Sequence, residues 1–337
     1  MKQRLYLLTG ASGFLGGNIL TQLVEKKERV RVLISLNNPA IPRMPKEAEL
    51  VFGNLLDKDS LEKFFTVDED VDIIVIHCAG VVTMDPKPND NVYKVNVGGT
   101  KSIVENCIKH KIKKLVYISS TGAIEELPHG QVIEEVTKHN LDAVIGYYSK
   151  TKAMATNLVL EAARENDLDA SVVYPSAILG PNDHRYGIIT RTLKLVASGN
   201  IPITLDGTIS SADVRDLAEG IISCTLKGKK GETYIMTGET HTFDHLIRLI
   251  FEKMGTKKHL FKLPLWLIYP FANLGLLYST ITKTPPWFSK FTLYNLTRNN
   301  EFSSIKAEKE LGFKTRPLEE TIADTISWLK ESGRLKA

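Results

Sequence analysis

The first half of the chain alternates short apolar runs with longer segments in which apolar residues recur at helical spacing. The apolar runs are nearly continuous and rich in Val, Ile and Leu, which is typical of strands that are covered on both faces. The segments between them, such as 16–27 and 96–110, have the period of helices. The predicted strands are 4–9, 29–35, 48–53, 72–78, 113–119 and 169–175.

This alternation of strands and helices predicts an α/β fold with a parallel, doubly wound sheet and right-handed crossovers. After residue 175 the pattern changes, because helical segments dominate and only one further strand is predicted, at 232–238. We therefore expect a main domain over 1–175, completed by parts of 210–240, and a smaller, mostly helical lobe over 176–337.

Composition and charge exclude several classes of protein. The 337 residues are 43% hydrophobic and 24% charged, and the net charge of +4 comes from interspersed residues of both signs, so no nucleic-acid partner is expected. The three cysteines form no CxxC pair, which fits a reducing compartment and predicts no metal site. The N-terminus is too short in apolar residues for a signal peptide, so we expect a cytoplasmic protein.

One apolar segment, residues 263–278, complicates that expectation. Pro264 and Pro270 interrupt it, and it is shorter than the ~20 residues that span a bilayer. The favoured interpretation is a helix packed over a substrate pocket or a subunit interface. Contact with a membrane surface is the alternative.

The first predicted strand runs directly into TGASGFLG, residues 9–16, and then into a helix. Glycine at positions 10, 13 and 16 permits a tight turn and lets a pyrophosphate approach the N-terminus of the helix, where free N–H groups favour an anion. A GxxG pattern alone is weak evidence. Between a strand and a helix it predicts dinucleotide binding rather than a merely structural turn.

Further motifs follow in order over nearly the whole chain. They are GNLLD (53–57), HCAG (77–80), NVGGT (96–100), VYISST (116–121), YSKTK (148–152), YPSAILGP (174–181), DVRDLAEGI (213–221) and LGFKTRPLEETIADTISW (311–328). With the glycine loop, this ordered set resembles the extended short-chain dehydrogenases/reductases, which include nucleotide-sugar epimerases, dihydroflavonol reductases and 3β-hydroxysteroid dehydrogenases. The resemblance implies a Rossmann-type dinucleotide-binding domain followed by a substrate-binding lobe.

The sequence YYSKTK, residues 147–152, contains the candidate catalytic pair. Residues four apart share a helix face, and Tyr148 has a lysine, Lys152, at that spacing, whereas Tyr147 does not. A free tyrosine has a pKa of ~10, which a nearby ammonium lowers. The resemblance implies that Tyr148 exchanges the hydroxyl proton of the substrate and that Lys152 tunes Tyr148 and anchors the cofactor. The alternative is a solvated helix start with incidental Tyr and Lys.

The end of the fifth strand supplies the third candidate. The resemblance favours Ser120 as the residue that polarises the substrate C–O bond, with Thr121 as the fallback and Ser119 less favoured. His77 is expected to be a packed histidine. Asn96 either supports the site through backbone hydrogen bonds or has only a structural role.

The residues after the second strand decide the cofactor preference. An NAD enzyme usually has an acid there, and an arginine suits the 2′-phosphate of NADP. This chain has neither at the expected place, but Ser35, Asn37, Asn38 and Arg43 could bind a phosphate, so NADP(H) is favoured and NAD(H) is the alternative. Asn54 stands where the family usually has Asp, facing the adenine amine.

The resemblance also implies the remaining contacts. The expected cofactor-binding residues are Gly10, Ala11, Ser12, Gly13, Phe14, Leu15, Gly16, Ser35, Asn37, Asn54, Leu55, Cys78, Ala79, Gly80, Tyr148, Lys152, Tyr174, Pro175, Ala177 and Ile178. The expected substrate contacts are Val82, Thr83, Thr121 and Ser176. Asp213 and Asp216 are expected to cap the helix that follows.

These residues predict an oxidoreductase that transfers hydride between a nicotinamide and an alcohol or ketone. Arg185, Arg191 and Arg215 could clamp a nucleotide diphosphate but form no evident cluster, whereas the lobe is rich in aromatic residues. A hydrophobic substrate, sterol-like, terpenoid or phenolic, is therefore favoured. The alternatives are a nucleotide-sugar epimerase or dehydratase and a non-catalytic NAD(P)-sensing regulator. Family members often pair through two helices, so a homodimer is expected.

Overall fold

The core of the protein is a seven-stranded parallel sheet. The computed structural model describes residues 2–199, 203–256, 259–267 and 290–336. Within them the strands of this sheet lie in the order β10-β6-β5-β4-β1-β2-β3, and every neighbouring pair is parallel. The strands are β1 (Arg4–Thr9), β2 (Arg29–Ile34), β3 (Glu49–Phe52), β4 (Asp72–His77), β5 (Lys114–Ile118), β6 (Ala170–Pro175) and β10 (Thr233–Met236). All seven predicted strands are confirmed.

Alternate residues of each strand face opposite layers of helices. In β1, Tyr6 and Leu8 belong to one hydrophobic cluster, whereas Leu5 and Leu7 belong to the other. Both faces of the strand are thus buried, which is why its sequence is a continuous apolar run rather than an alternating one. The predicted doubly wound α/β fold is confirmed.

The helices divide between the two faces of the sheet and the lobe. In the two sheet-bound clusters, α1, α7 and α10 contribute to one face, and α2, α4 and α5 to the other. The helices are α1 (Phe14–Glu25), α2 (Lys58–Phe65), α3 (Asp90–Tyr93), α4 (Thr100–Lys109), α5 (Tyr147–Glu165), α6 (Ile188–Ala197), α7 (Val214–Lys227), α8 (Phe243–Lys253), α9 (Lys290–Thr297), α10 (Ile305–Leu311) and α11 (Leu318–Glu331).

The lobe has its own hydrophobic cluster, built mainly from α6, α8 and α11. Two small sheets accompany it, one with the order β11-β9-β7 and one pairing β12 with β8. Their strands are β7 (Ala177–Leu179), β8 (Ile203–Leu205), β9 (Thr208–Asp213), β11 (Thr240–Thr242) and β12 (Phe261–Leu263). Of the apolar segment 263–278, residues 268–278 lie outside the described part of the chain. No helix in the described part is long and apolar enough to cross a membrane.

The two aspartates at the start of α7 have different roles. Asp213 caps the helix as expected, because its carboxylate accepts the Arg215 backbone N–H at 2.8 Å. For Asp216 the expectation was wrong, since its carboxylate pairs with the Arg316 guanidinium at 2.7 Å. That ion pair connects α7 to the residue just before Pro317 and α11.

Candidate active site

The candidate residues gather where the parallel strands end. β1 leads into the glycine loop, β4 into residues 78–80, β5 into residues 119–121 and β6 into Ser176. Because all four strands are parallel and adjacent in the sheet, their carboxyl ends share one edge, which is where open α/β sheets bind ligands.

The glycine loop fits a dinucleotide. Gly10 has φ +78°, and a Cβ there would lie 2.6 Å from the Ala79 nitrogen. A Cβ at Gly16 would lie 2.3 Å from the Gly10 carbonyl oxygen, so the loop can lie this close to α1 only with glycine. Helix α1 has no side-chain cap and no acid in its first turn. Its N-terminus is therefore suited to an anion such as a pyrophosphate.

Tyr148 lies in the first turn of α5 and is half-buried. Burial raises the pKa of its phenol to about 12, with a further rise from Cys78, while a hydrogen bond with Ser120 opposes both. The Ser120 hydroxyl also accepts the Gly122 backbone N–H at 3.2 Å, which fixes it at the end of β5. A phenol with this pKa is protonated at neutral pH and can donate its proton.

Lys152, one turn along α5, is buried, and its ammonium points at β5. Nζ donates to the Ile118 carbonyl at 2.6 Å and to the Tyr117 hydroxyl at 3.4 Å. Burial lowers the pKa of Lys152 to about 8. The ammonium also lies close to the loop after β4, because a Cβ on Gly80 would be 3.5 Å from Nζ. The hydrogen bonds of the ammonium nevertheless go to β5 rather than to the Tyr148 phenol.

Asn96 connects the α5 helix to the loop after β4. Its side-chain oxygen accepts the Val81 N–H at 2.8 Å, and its amide donates to the Val81 carbonyl and the Thr151 hydroxyl, both at 3.0 Å. The Thr151 hydroxyl in turn donates to the Tyr148 carbonyl at 2.7 Å. Asn96 lies in a π-helical turn, Lys94–Gly99, of a kind that often accompanies functional sites.

His77 is fully buried beneath this region. Its ring nitrogens lie 2.7 Å from the Thr9 hydroxyl and 3.1 Å from the Thr100 hydroxyl. Burial, helped by the charge of Lys152, lowers the pKa of His77 to about 3, so the ring is neutral. These contacts agree with the packed role expected from the sequence.

The expected cofactor-binding residues differ in exposure. Ser35 and Asn37 are exposed beyond β2, and the Asn54 side-chain oxygen already accepts the Leu56 N–H at 2.9 Å. The Tyr174 side chain, in contrast, is fully buried, and its hydroxyl lies 2.7 Å from the His139 ring. Also buried are Ala11, Leu15, Gly16, Leu55 and Pro175, whereas Gly10, Ser12, Gly13, Phe14, Cys78, Ala79, Ala177 and Ile178 are half-buried and Gly80 is exposed.

The expected substrate contacts are also unequal. Val82 is 60% exposed, and the Thr83 hydroxyl accepts the Asp85 N–H at 3.0 Å. Thr121 is buried, and the hydroxyl of buried Ser176 accepts from the Thr237 hydroxyl at 2.8 Å. Thr151 and Tyr117 were not singled out from the sequence. The only signal in the sequence was their place in two motifs: Thr151 follows Tyr148 by three residues, and Tyr117 is the first residue of YISS.

The fold and this site define an NAD(P)-dependent oxidoreductase of the short-chain dehydrogenase/reductase type. Residues 6–236 match the model of the NAD dependent epimerase/dehydratase family, and the chain belongs to that family.

Three relatives illustrate the similarity. Sterol demethylase protein B of Methylococcus capsulatus is 27% identical over 98% of this chain and 99% of that protein. The decarboxylating sterol-4-alpha-carboxylate 3-dehydrogenase of Schizosaccharomyces pombe is 26% identical over 96% of this chain and 97% of that protein. The crystal structure of gox2253 is 31% identical, with a TM-score of 0.84 over 98% of this chain and 99% of that one.

Proposed function

We propose that the protein interconverts an alcohol and a ketone on a hydrophobic, sterol-like substrate, with NADP(H) as the preferred cofactor. The observation that carries the proposal is the placement of three side chains at the carboxyl end of β5. Ser120 lies there with its hydroxyl on the Gly122 N–H, Tyr148 forms a hydrogen bond with Ser120, and the Lys152 ammonium donates to the Ile118 carbonyl at 2.6 Å.

The chemistry of the proposed reaction divides between cofactor and protein. The nicotinamide, when bound, supplies or accepts the hydride. In the direction of reduction, Ser120 donates a hydrogen bond to the substrate carbonyl oxygen, and Tyr148 then gives its proton to that oxygen. The raised pKa of Tyr148 keeps the phenol protonated for this step at neutral pH.

Lys152 has a separate role in the proposal. Its buried ammonium is held by the Ile118 carbonyl and by the Tyr117 hydroxyl, which leaves one N–H for the hydroxyls of the nicotinamide ribose. The positive charge then favours the phenolate that forms on Tyr148 after proton transfer.

A hydrophobic substrate agrees with the charges near the site. Arg215, one of the three arginines that could clamp a diphosphate, is already bound to Asp213 and Asp324, each at 2.7 Å. Exposed Val82 offers an apolar surface after β4. The names of two relatives, which refer to sterols, support the same substrate class.

The preference for NADP(H) rests on the loop after β2. No acid stands at its start to repel a phosphate, and Ser35 and Asn37 are exposed there.

For assembly, we propose a homodimer formed through α4 and α5. Its mass would be measured by light scattering coupled to size-exclusion chromatography. A mass of one chain at micromolar concentration would contradict it.

The test of the proposed function is a titration of the purified protein with NADPH and NADH, followed by reduced-nicotinamide fluorescence. A panel of 3-keto sterols, aryl ketones and UDP- or dTDP-sugars is then added. We expect NADPH to bind and its signal to disappear only with the hydrophobic ketones. Thermal stabilisation by the sugar nucleotides alone would overturn the substrate class, and turnover of neither set would favour a cofactor sensor.

A further inference from the structure

Two side chains from different parts of the chain meet on the hydroxyl of Ser12 in the glycine loop. Arg185, in the loop between β7 and α6, donates to Ser12 Oγ at 2.7 Å, and Asn38, in the loop after β2, donates to it at 3.2 Å. The Asn38 amide is oriented, because its oxygen accepts the Ala40 N–H at 3.0 Å. The lobe thus reaches across the glycine loop to the side of the sheet where β2 lies.

A cavity of about 290 Å³ lies beside this meeting point. It extends from the glycine loop along α1 to the loop after β2, and residues of the β7–α6 loop close its other side. Its lining contains three residues that can carry positive charge, Arg43, His184 and Arg185, and no carboxylate.

The two guanidinium groups of this cavity have no carboxylate partner in the described part of the chain, whereas His184 lies near the Asp183 carboxylate. Neither Arg43 nor Arg185 forms an ion pair with a carboxylate among those residues. Burial lowers the pKa of His184, and the charges of Arg43 and Arg334 lower it further. The guanidinium groups of Arg43 and Arg185 therefore line one cavity close to the N-terminus of α1, an arrangement that favours an anionic ligand.

The position of the cavity distinguishes between the phosphates of a dinucleotide. A pyrophosphate binds directly at the N-terminus of α1, at the glycine loop. The cavity instead continues past that point, along Gly17, Leu20 and Thr21, to the loop after β2. That loop is where Rossmann proteins distinguish a ribose 2′-hydroxyl from a 2′-phosphate.

We propose that Arg185 and Arg43 bind the 2′-phosphate of NADP(H) from opposite sides of this cavity, which makes Arg185 a specificity-determining residue supplied by the lobe. The inference rests on the proposed preference for NADP(H) and adds to it a residue more than a hundred positions from the loop that usually decides the matter. Arg185 exchanges its contact with Ser12 Oγ for the phosphate oxygens, to which a guanidinium can donate two parallel hydrogen bonds. Asn38 and Ser12 remain as neutral donors beside it.

The test measures binding rather than activity. Dissociation constants for NADPH and NADH are obtained by fluorescence titration of the wild type and of Arg185→Gln, Arg43→Gln and Arg185→Lys. Arg191→Gln is the matched control, because Arg191 is exposed in α6 and does not line the cavity. Adenosine 2′,5′-bisphosphate and 5′-AMP, titrated by calorimetry, separate the 2′-phosphate from the rest of the cofactor.

We expect Arg185→Gln and Arg43→Gln each to raise the dissociation constant for NADPH about tenfold or more, while that for NADH changes less than about twofold. Arg185→Lys should fall between Arg185→Gln and the wild type, since it keeps the charge and loses the paired geometry. The loss of affinity for adenosine 2′,5′-bisphosphate should match the loss for NADPH, and the affinity for 5′-AMP should not change. Arg185 is exposed, so the variants should melt like the wild type.

Three results would overturn the inference or its basis, and they differ. If Arg185→Gln weakens the binding of NADPH and NADH equally, Arg185 contacts a group that both cofactors share. Unchanged NADPH binding would remove Arg185 from the site altogether. If the wild type itself binds NADH as tightly as NADPH, the proposed cofactor preference is wrong, whatever the variants do.

Discussion

At the scale of single residues, the pKa values in the candidate site depend more on burial than on pairing. The sequence predicted that Lys152 would lower the pKa of Tyr148, yet burial raises that pKa to about 12 and lowers that of Lys152 to about 8. Both shifts have the same cause, because a low dielectric disfavours the charged form of either group. The site therefore contains a proton donor and a cation that titrates close to physiological pH.

Replacement of Tyr148 by Phe tests the proton donor. We expect Tyr148→Phe to lower kcat for ketone reduction by about 10²–10⁴-fold, the usual contribution of a general acid. Binding of NADPH should stay within about twofold, since a phenyl ring occupies the same space. Tyr147→Phe is the control and should keep nearly full activity. Comparable activity of the two variants would exclude Tyr148 as the donor.

The pH dependence of the reaction tests Lys152. Its ammonium is charged below its lowered pKa of about 8 and neutral above it, whereas Tyr148 keeps its proton until about pH 12. For ketone reduction we therefore expect kcat/KM to be level below pH 8 and to fall as the pH rises through it. This is measured by kcat/KM for ketone reduction from pH 6 to 10, with overlapping buffers to correct for buffer effects. A level profile up to pH 10 would show that the charge of Lys152 is not needed.

At the scale of elements, the π-helical turn before α4 holds the loop after β4 against α5. Asn96 satisfies both backbone groups of Val81 and one hydroxyl of α5, so three contacts depend on one side chain. Asn96 belongs to the π-helical turn Lys94–Gly99, which brings its amide between these two elements. The turn therefore positions the substrate loop relative to the catalytic helix.

Asn96→Ala should disrupt this connection. The N–H and carbonyl of half-buried Val81 would lose their partners, at a cost of about 1 kcal/mol in the free energy of unfolding. We also expect KM for the ketone to rise more than the Kd for NADPH, because Val82 and Thr83 follow directly in the chain. Asn106→Ala is the control, since Asn106 bonds only the Ser102 carbonyl within α4. Equal effects of the two changes would argue against a positioning role.

At the scale of the whole molecule, an ion-pair network joins α7, which packs against the sheet, to α11 in the lobe. The buried Asp213 carboxylate accepts from Arg215, whose guanidinium also reaches Asp324 in α11 at 2.7 Å. Burial alone would raise the pKa of Asp213, but the hydrogen bonds and charge of Arg215 outweigh it and lower the pKa. The network therefore ties α11 of the lobe to the helix that packs against the sheet.

Asp213→Asn should destabilise the protein by about 3 kcal/mol at neutral pH, because breaking a buried pair leaves Arg215 partly uncompensated. The lowered pKa means that this stabilisation is present above the ordinary aspartate pKa of ~3.9 and is lost as the pH falls below it. Urea unfolding of the wild type and the variant at pH 7 measures the destabilisation, and the same comparison at pH 3.5 measures how much of it is lost in acid. Asp244→Asn, which breaks the exposed pair with Arg248, should cost less than about 0.5 kcal/mol. A similar cost for both variants would contradict the prediction.

The sequence by itself determined the sheet, the glycine loop and the family. Strands covered on both faces are rich in apolar residues, so most of the seven left a nearly continuous apolar run that could be read directly. Gly10 and Gly16 likewise follow from a local steric demand, because no other residue fits that close to its neighbours. The Tyr148–Lys152 spacing was equally visible, since it depends only on the period of a helix.

Only the tertiary structure decided which groups those residues meet. Whether the Lys152 ammonium bonds a phenol or a strand carbonyl depends on the distance between α5 and β5, and that distance is set by packing. Arg185 lies 173 positions from Ser12, and Arg215 lies far in sequence from its partner Asp324. Pairings across such separations leave no period in the sequence. The burial that shifts the pKa values of Tyr148 and Lys152 likewise comes into being only when the sheet and the helices pack together.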